Sequence, residues 1–191
     1  VADIQAQSES WNVRLIGHHD LNGHGDGMQL LKNDRYVYIA HLGTSPMALS
    51  IVDAADPSDP KVVRQMPHPP NTHAHKVQIA GDILIQNQER PYFDRNLPAD
   101  VPNEAGIRIY NIADPTEPRE IGYLKLPGKG VHRMWFTDGK YAHVGAMLPG
   151  IKERAYLIAD LSDPTNPKEA GRWWIPGTKE GEETPADWTP F

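Results

Sequence analysis

Histidine is the residue type with the strongest chemical signal in this sequence. The chain has nine histidines in 191 residues and no cysteine. Imidazole nitrogens bind first-row transition metals, and without thiolates the side chains left to hold such an ion are His, Asp and Glu. We expect one ion, Zn, Fe, Mn or Cu, and the candidate ligands are His19, His24, His73, His75 and His132.

The spacing of these residues suggests how they act. His73 and His75 are two residues apart, so in an extended segment both side chains point the same way and can reach one ion. Two carboxylates are candidates for catalysis. Glu89, just after a predicted strand, is either a general base or a solvated loop residue, and Asp26 either orients a ligating imidazole or caps a turn.

Other side chains near these histidines suggest a substrate. Lys76 and Arg133 each directly follow a candidate ligand, and they either bind an anionic small molecule or form a salt bridge between repeats. Trp174 is a candidate wall of the same site. The remaining histidines, His41, His68 and His143, are interpreted as ordinary strand or loop residues.

A repeated turn organises the elements that must position these groups. In each copy, Asp can accept a local backbone hydrogen bond, and the following Pro cannot donate to a strand ladder, so a strand must end there. The three copies are Asp56-Pro-Ser-Asp-Pro60, Asp114-Pro-Thr-Glu-Pro118 and Asp163-Pro-Thr-Asn-Pro167.

Four short strand patterns accompany each turn, and units of four strands at this spacing are typical of β-propeller blades. The predicted units are a closing strand at 11–17, blades at 24–66, 73–126 and 131–176, and a linker or processing tail at 177–191. The segments that cross from one blade to the next converge at one end of a propeller axis. Six of the nine histidines, His18 among them, lie in these crossings.

The repeat resembles the LVIVD-repeat β-propeller proteins of bacteria and archaea. The resemblance rests on the Asp-Pro units and on the stretches Gly17-His-His-Asp-Leu-Asn22, Thr72-His-Ala-His-Lys-Val-Gln78 and Gly130-Val-His-Arg-Met-Trp-Phe136. It implies a propeller fold in a polypeptide that is usually longer, with further blades. It implies little about activity, because most members of that family have no assigned reaction.

Three blades do not close a ring, since closed propellers have at least four and an open wedge exposes sheet edges. We therefore expect six to seven blades in all, with the ring completed by another chain or segment. A complementary C-terminal half is favoured, and a second copy of this chain is the alternative.

Charge and hydropathy exclude other classes. A net charge of −6 gives no basis for nucleic-acid binding, and no apolar run is long enough to span a bilayer. Nucleotide-binding glycine loops and a Ser-nucleophile elbow are absent. We expect a soluble protein of a bacterial-type cytoplasm or periplasm, and the sequence does not decide between the two.

The leading functional hypothesis is a metal-dependent enzyme that acts on a small organic substrate at a His-lined site on the propeller axis. The lack of Cys and of cofactor motifs favours hydrolase or lyase chemistry slightly over oxidase chemistry. The alternative is a non-catalytic propeller, a scaffold or binding module of the cell surface or periplasm.

Overall fold

The structure, a computed structural model, describes residues 11–91, 94, 96–98 and 100–187. The regular structure of these residues is β-strand throughout, and twelve strands form three antiparallel sheets of four. Within each sheet the strands lie side by side in chain order. Each sheet is therefore one blade, which confirms the all-β propeller prediction of three four-stranded blades.

The strand bounds are as follows. The first blade contains β1 (Gly27–Asn33), β2 (Tyr36–His41), β3 (Met47–Asp53) and β4 (Lys61–Pro67). The second contains β5 (Val77–Ala80), β6 (Ile83–Gln88), β7 (Gly106–Asn111) and β8 (Arg119–Lys125). The third contains β9 (Gly130–Trp135), β10 (Tyr141–Met147), β11 (Ala155–Asp160) and β12 (Lys168–Trp173). Among the described residues no helix is long and apolar enough to cross a membrane.

The Asp-Pro turns join the third and fourth strand of each blade and are built from local hydrogen bonds. Asp56 Oδ1 accepts the Ser58 amide at 2.9 Å. Asp114 accepts the Thr116 amide at 2.9 Å, and Asp163 accepts the Thr165 amide at 3.0 Å. Because the same short-range bond recurs in all three turns, the turn geometry is encoded locally.

Neighbouring blades pack face to face, and the second blade is covered on both sides. On β6, Leu84 packs into the core shared with the first blade, and the next residue, Ile85, packs into the core shared with the third. Successive residues of a strand point to opposite faces. A strand that is covered on both faces therefore reads as a continuous apolar run, as β6 does at Ile83–Ile85.

One backbone contact sets the distance between the second and third blades. A Cβ placed on Gly122 of β8 would lie 2.1 Å from the carbonyl oxygen of Pro164, in the Asp-Pro turn of the next blade. No side chain fits in that space. Glycine at this position therefore lets the outer strand of one blade rest directly on the turn of its neighbour.

The start of the tail is bonded to the third blade, and residues 188–191 lie outside the described part of the chain. The Lys152 amide donates to the Thr178 carbonyl at 2.9 Å, and the Glu180 amide donates to the Gly150 carbonyl at 2.7 Å. These bonds attach the start of the tail to the loop between β10 and β11.

Replacing Gly122 by alanine should destabilise the protein. A methyl group at that position forces the two blades apart, and overpacking of this kind costs about 1–3 kcal/mol. Urea unfolding of Gly122→Ala should show a lower midpoint than wild type. Gly25→Ala is the matched control, because nothing lies within 4 Å of its Cβ position among the described residues. Equal midpoints for Gly122→Ala and wild type would contradict the proposed contact.

Candidate metal centre

The backbone brings two crossings together at Glu89, the residue that follows β6. Glu89 pairs with His73 on one side and with Gly130 on the other. The His73 amide donates to the Glu89 carbonyl at 2.7 Å, and the Glu89 amide donates to the His73 carbonyl at 3.0 Å. Directly opposed residues of an antiparallel pair place their side chains on the same face. Glu89 thus lies at the seam between the second and third blades.

Three imidazoles surround the Glu89 carboxylate. His73 Nδ1 lies 3.0 Å from Oε1, and His75 Nδ1 lies 3.4 Å from the same oxygen. His132, on β9 of the third blade, places its Nδ1 3.0 Å from Oε2 and 3.1 Å from Oε1. The structure therefore joins three of the five predicted metal ligands with a carboxylate, and we call these four residues the His–Glu cluster.

The rings are arranged so that their nitrogens converge. His73 and His75 stack with their centroids 4.1 Å apart and their planes 8° apart, as the spacing of two residues predicts. The candidate ligand atoms of His73, His75 and Glu89 all lie within 4.8 Å of one another. Ligands of a tetrahedral ion bound at about 2 Å are separated by about 3 Å, so a small movement would close the cluster around one ion.

Asn87 determines which nitrogen of His75 carries a lone pair toward the cluster. Its Oδ1 accepts the Lys76 amide at 2.7 Å, and its Nδ2 donates to the Val131 carbonyl at 2.8 Å. The Nδ2 group therefore faces His75 Nδ1, at 3.3 Å, as a donor, which makes Nδ1 the unprotonated nitrogen. That same Nδ1 faces Glu89 Oε1, so two lone-pair atoms oppose each other. A cation between them would remove the repulsion.

Burial keeps His75 in the form that binds metals. His73, His75 and Glu89 are buried, and His132 is partly exposed. Desolvation, with smaller contributions from the charges of His73 and Lys76, lowers the pKa of His75 to about 2. The ring is therefore neutral at neutral pH, and neutral imidazole is the ligand form. The partly exposed His132 marks the side from which the cluster can be reached.

Two cationic side chains flank the cluster. Lys76 is buried just before β5, and Arg133 is exposed on β9. Desolvation and the charge of Arg133 lower the pKa of Lys76, while Glu89 acts in the opposite direction. No ion pair among the described residues includes either cation. The sequence suggested two alternative roles for these two residues, anion binding or a salt bridge between repeats. The salt bridge is not among these contacts.

A second polar group, outside the cluster, lies in the first blade. Asp26 Oδ1 is 2.6 Å from His41 Nδ1, and His41 Nε2 is 2.7 Å from Ser50 Oγ. The order Asp-His-Ser resembles that of a hydrolase triad, but Ser50 is fully buried in β3 and also accepts Gln65 Nε2 at 3.0 Å. A nucleophile must reach substrate, so this relay holds β2, β3 and β4 together instead.

Asp26 orients an imidazole and caps a turn on its own blade, but this imidazole is not one of the candidate metal ligands. One oxygen holds the His41 imidazole, and the other accepts the Gly43 and Ser45 amides and the Thr44 hydroxyl. His41, interpreted from sequence as an ordinary strand residue, is therefore the imidazole that Asp26 orients. It lies outside the His–Glu cluster.

The remaining candidates make other contacts. His19 Nδ1 accepts the Leu21 amide at 2.9 Å, and His24 Nδ1 lies 3.1 Å from Ser45 Oγ. Trp174 Nε1 donates to a carboxylate oxygen of Glu182, in the tail, at 2.9 Å. Contacts among the described residues do not join His19, His24 or Trp174 to the His–Glu cluster.

Two further residues lie near the cluster, and the sequence analysis missed both. Asn87 precedes Glu89 by two residues, so strand alternation alone places both side chains on one face. His68 lies with its ring centroid 6.4 Å from that of His73, and burial lowers its pKa to about 4. His68 lies in a Pro-rich stretch between two predicted blades, and nothing in that local sequence indicated that it would lie near His73.

A comparison with models of known protein families identifies the repeat. The family model for the LVIVD repeat matches residues 25–66 and 137–174. The chain is an LVIVD-repeat protein. In this LVIVD-repeat protein the matched segments lie on the first and third blades, whereas the residues of the His–Glu cluster lie outside them. No curated protein matches the chain.

Changing Asp26 to asparagine should weaken the acid dependence of stability. Partial burial opposes ionisation of Asp26, but hydrogen bonds from Ser45, His41 and Thr44 outweigh it and lower the pKa from 3.8 to about 2. Because the folded-state pKa is the lower one, the stabilisation is present above pH 3.8 and is lost as the pH falls toward 2. Urea unfolding across this range should show a steeper loss for wild type than for Asp26→Asn, and parallel curves would refute this prediction.

Proposed function

We propose that this protein is a metal-dependent enzyme whose single transition-metal ion is held by His73, His75, His132 and Glu89. The observation that carries the proposal is the convergence of three imidazole Nδ1 atoms, from two blades, on one buried carboxylate. The opposed lone pairs of His75 and Glu89 support a cation between them.

The ligand set suits a divalent first-row ion. Three imidazoles with one carboxylate and no thiolate are compatible with Zn, Fe, Mn or Cu. Such an ion, when bound, polarises a substrate oxygen or lowers the pKa of a water. In this assignment Glu89 is a ligand and not the general base suggested by its position in sequence, because its carboxylate is buried among the three imidazoles.

The surroundings of the cluster indicate a small anionic substrate. Arg133 is exposed next to His132 in sequence, and the charges of Arg133 and of the buried Lys76 both act on His75. Two cations that form no ion pair within the described part of the chain, placed near a metal, favour a carboxylate or a similar anion. The absence of Cys and of redox-cofactor motifs favours hydrolase or lyase chemistry over oxidase chemistry.

One observation favours the alternative of a non-catalytic scaffold. The Glu89 backbone bridges His73 of the second blade and Gly130 of the third, so the His–Glu cluster can also act as a polar fastener between blades. In that case His73 and His132 would donate protons to the carboxylate, and no metal would be needed. Metal content separates these two functions.

Elemental analysis of the purified protein should find close to one transition-metal ion per chain. His75→Ala and Glu89→Gln should each lower the metal content about tenfold or more, because each removes one of four ligands. His143→Ala is the matched control, since His143 is a partly exposed strand histidine outside the cluster that is bonded to Tyr156. Metal-free wild type that unfolds cooperatively would refute the enzyme proposal and favour the non-catalytic scaffold, in which the cluster only links the two blades.

Oxalate, a small dicarboxylate, should bind to the cobalt-substituted protein and shift its visible absorption. Arg133→Met should weaken this binding about tenfold by removing one positive charge, without changing the spectrum of the oxalate-free protein. Lys140→Met, which removes a lysine stacked on Tyr141, is the control. Equal affinity for oxalate in the Arg133→Met and control variants would exclude Arg133 from anion binding.

A further inference from the structure

The glycine–carbonyl contact between the second and third blades recurs at the start of the described chain. A Cβ placed on Gly17 would lie 2.1 Å from the carbonyl oxygen of Pro57, as one on Gly122 would lie 2.1 Å from that of Pro164. Pro57 and Pro164 occupy the same place in their Asp-Pro turns. Gly17 therefore contacts the turn of the first blade in the same way that Gly122, on the outer strand of the second blade, contacts the turn of the third.

A third glycine has the same place in the repeat but no neighbour. The crossings that begin at Gly17, Gly122 and Gly171 have an apolar residue four positions later and a glycine six positions later. The later glycines, Gly23, Gly128 and Gly177, have φ values of 82°, 90° and 82°. Nothing among the described residues lies within 4 Å of a Cβ at Gly171.

The sheet face around Gly171 is apolar and exposed. The strand register places Gly171 in one row with Ile158, His143 and Trp135, and the equivalent row of the second blade holds Gly122, Ile109 and Ile85. Ile85 and Ile109 are fully buried against the third blade. On the third blade, Trp135 is 61% exposed and Trp173 is 56% exposed. This face therefore repeats the established interface without its partner.

We propose that this face, Trp135, His143, Tyr156, Ile158, Gly171 and Trp173, docks a fourth blade of different sequence, whose Asp-Pro turn rests its proline carbonyl on Gly171. The partner contributes this fourth blade, a four-stranded sheet of the same repeat type. It continues the two interfaces already present, blade one on blade two and blade two on blade three, in the same direction around the ring.

A second copy of this chain cannot supply a free Asp-Pro turn for Gly171. Its first blade is the one that would have to follow the third blade, and the turn it would present contains Pro57. The Pro57 carbonyl is already in contact with Gly17 of its own chain. Gly171 of one copy and Gly17 of the other would compete for the same Pro57 turn. Closing the ring with two copies would therefore displace the segment that carries Gly17.

The segment before Gly17 has the character of an outer strand. Trp11, Val13 and Leu15 alternate along it and are largely exposed. Residues 13–20 form no strand in the structure. The contact at Pro57 gives this segment the place of the fourth strand in a blade that precedes the first. The partner therefore ends in a blade with three strands of its own, to which the segment adds the fourth.

The test is photo-crosslinking of the full chain in the cells from which it derives, with p-benzoylphenylalanine replacing Trp173. Peptide mapping should find cross-links to an Asp-Pro turn that lies outside residues 1–191. Cross-links to residues 51–60 of a second copy would overturn the proposal. A yield no higher than that of the same photo-amino acid at Lys32, on the first blade, would also overturn it.

Gly171→Leu isolates the glycine contact. In the protein labelled at position 173 it should lower the cross-link yield about tenfold or more, because the leucine occupies the space of the incoming carbonyl. The urea midpoint of the isolated 191-residue chain should stay unchanged, since that space is open. A full cross-link yield with Gly171→Leu would show that no turn rests on Gly171.

Discussion

The packing of one blade face on the next is the interaction on which the rest of this structure depends. A single four-stranded sheet cannot bury both of its apolar faces, so each blade is stable only against its neighbours. The second blade shows the result, because Leu84 and Ile85 on one strand enter two different cores. Direct backbone contact at Gly122 then fixes how close two blades lie.

The His–Glu cluster is a product of the same packing. Its side chains come from the crossing into β5, the end of β6 and the first half of β9, and the seam between two blades brings these three segments together. Glu89 is held on both sides by backbone pairing, which restricts the position of its carboxylate. Groups held in this way need little rearrangement to bind an ion, which is the usual property of a functional site on rigid elements.

The two polar groups of the protein illustrate how burial decides chemistry. One group is a hydrogen-bonded relay of Asp26, His41 and Ser50, which are the residue types of a hydrolase triad. Its serine is buried within one blade, so the relay holds the strands of that blade together. The His–Glu cluster lies between blades and is partly exposed at His132, and the positive charges of Lys76 and Arg133 act on its His75. Position relative to the blade seam, and not residue type, distinguishes the two.

The sequence by itself determined the repeat, the four strands per blade and the Asp-Pro turns, because these depend on local hydrogen bonds and on alternation along a strand. It also indicated His73, His75 and His132, since they occupy equivalent or adjacent crossing positions. Tertiary structure alone decided that Glu89 joins them, that Asn87 orients His75 and that Asp26 serves His41. These outcomes depend on pairing between distant strands and on the seam between blades, and no local pattern encodes either.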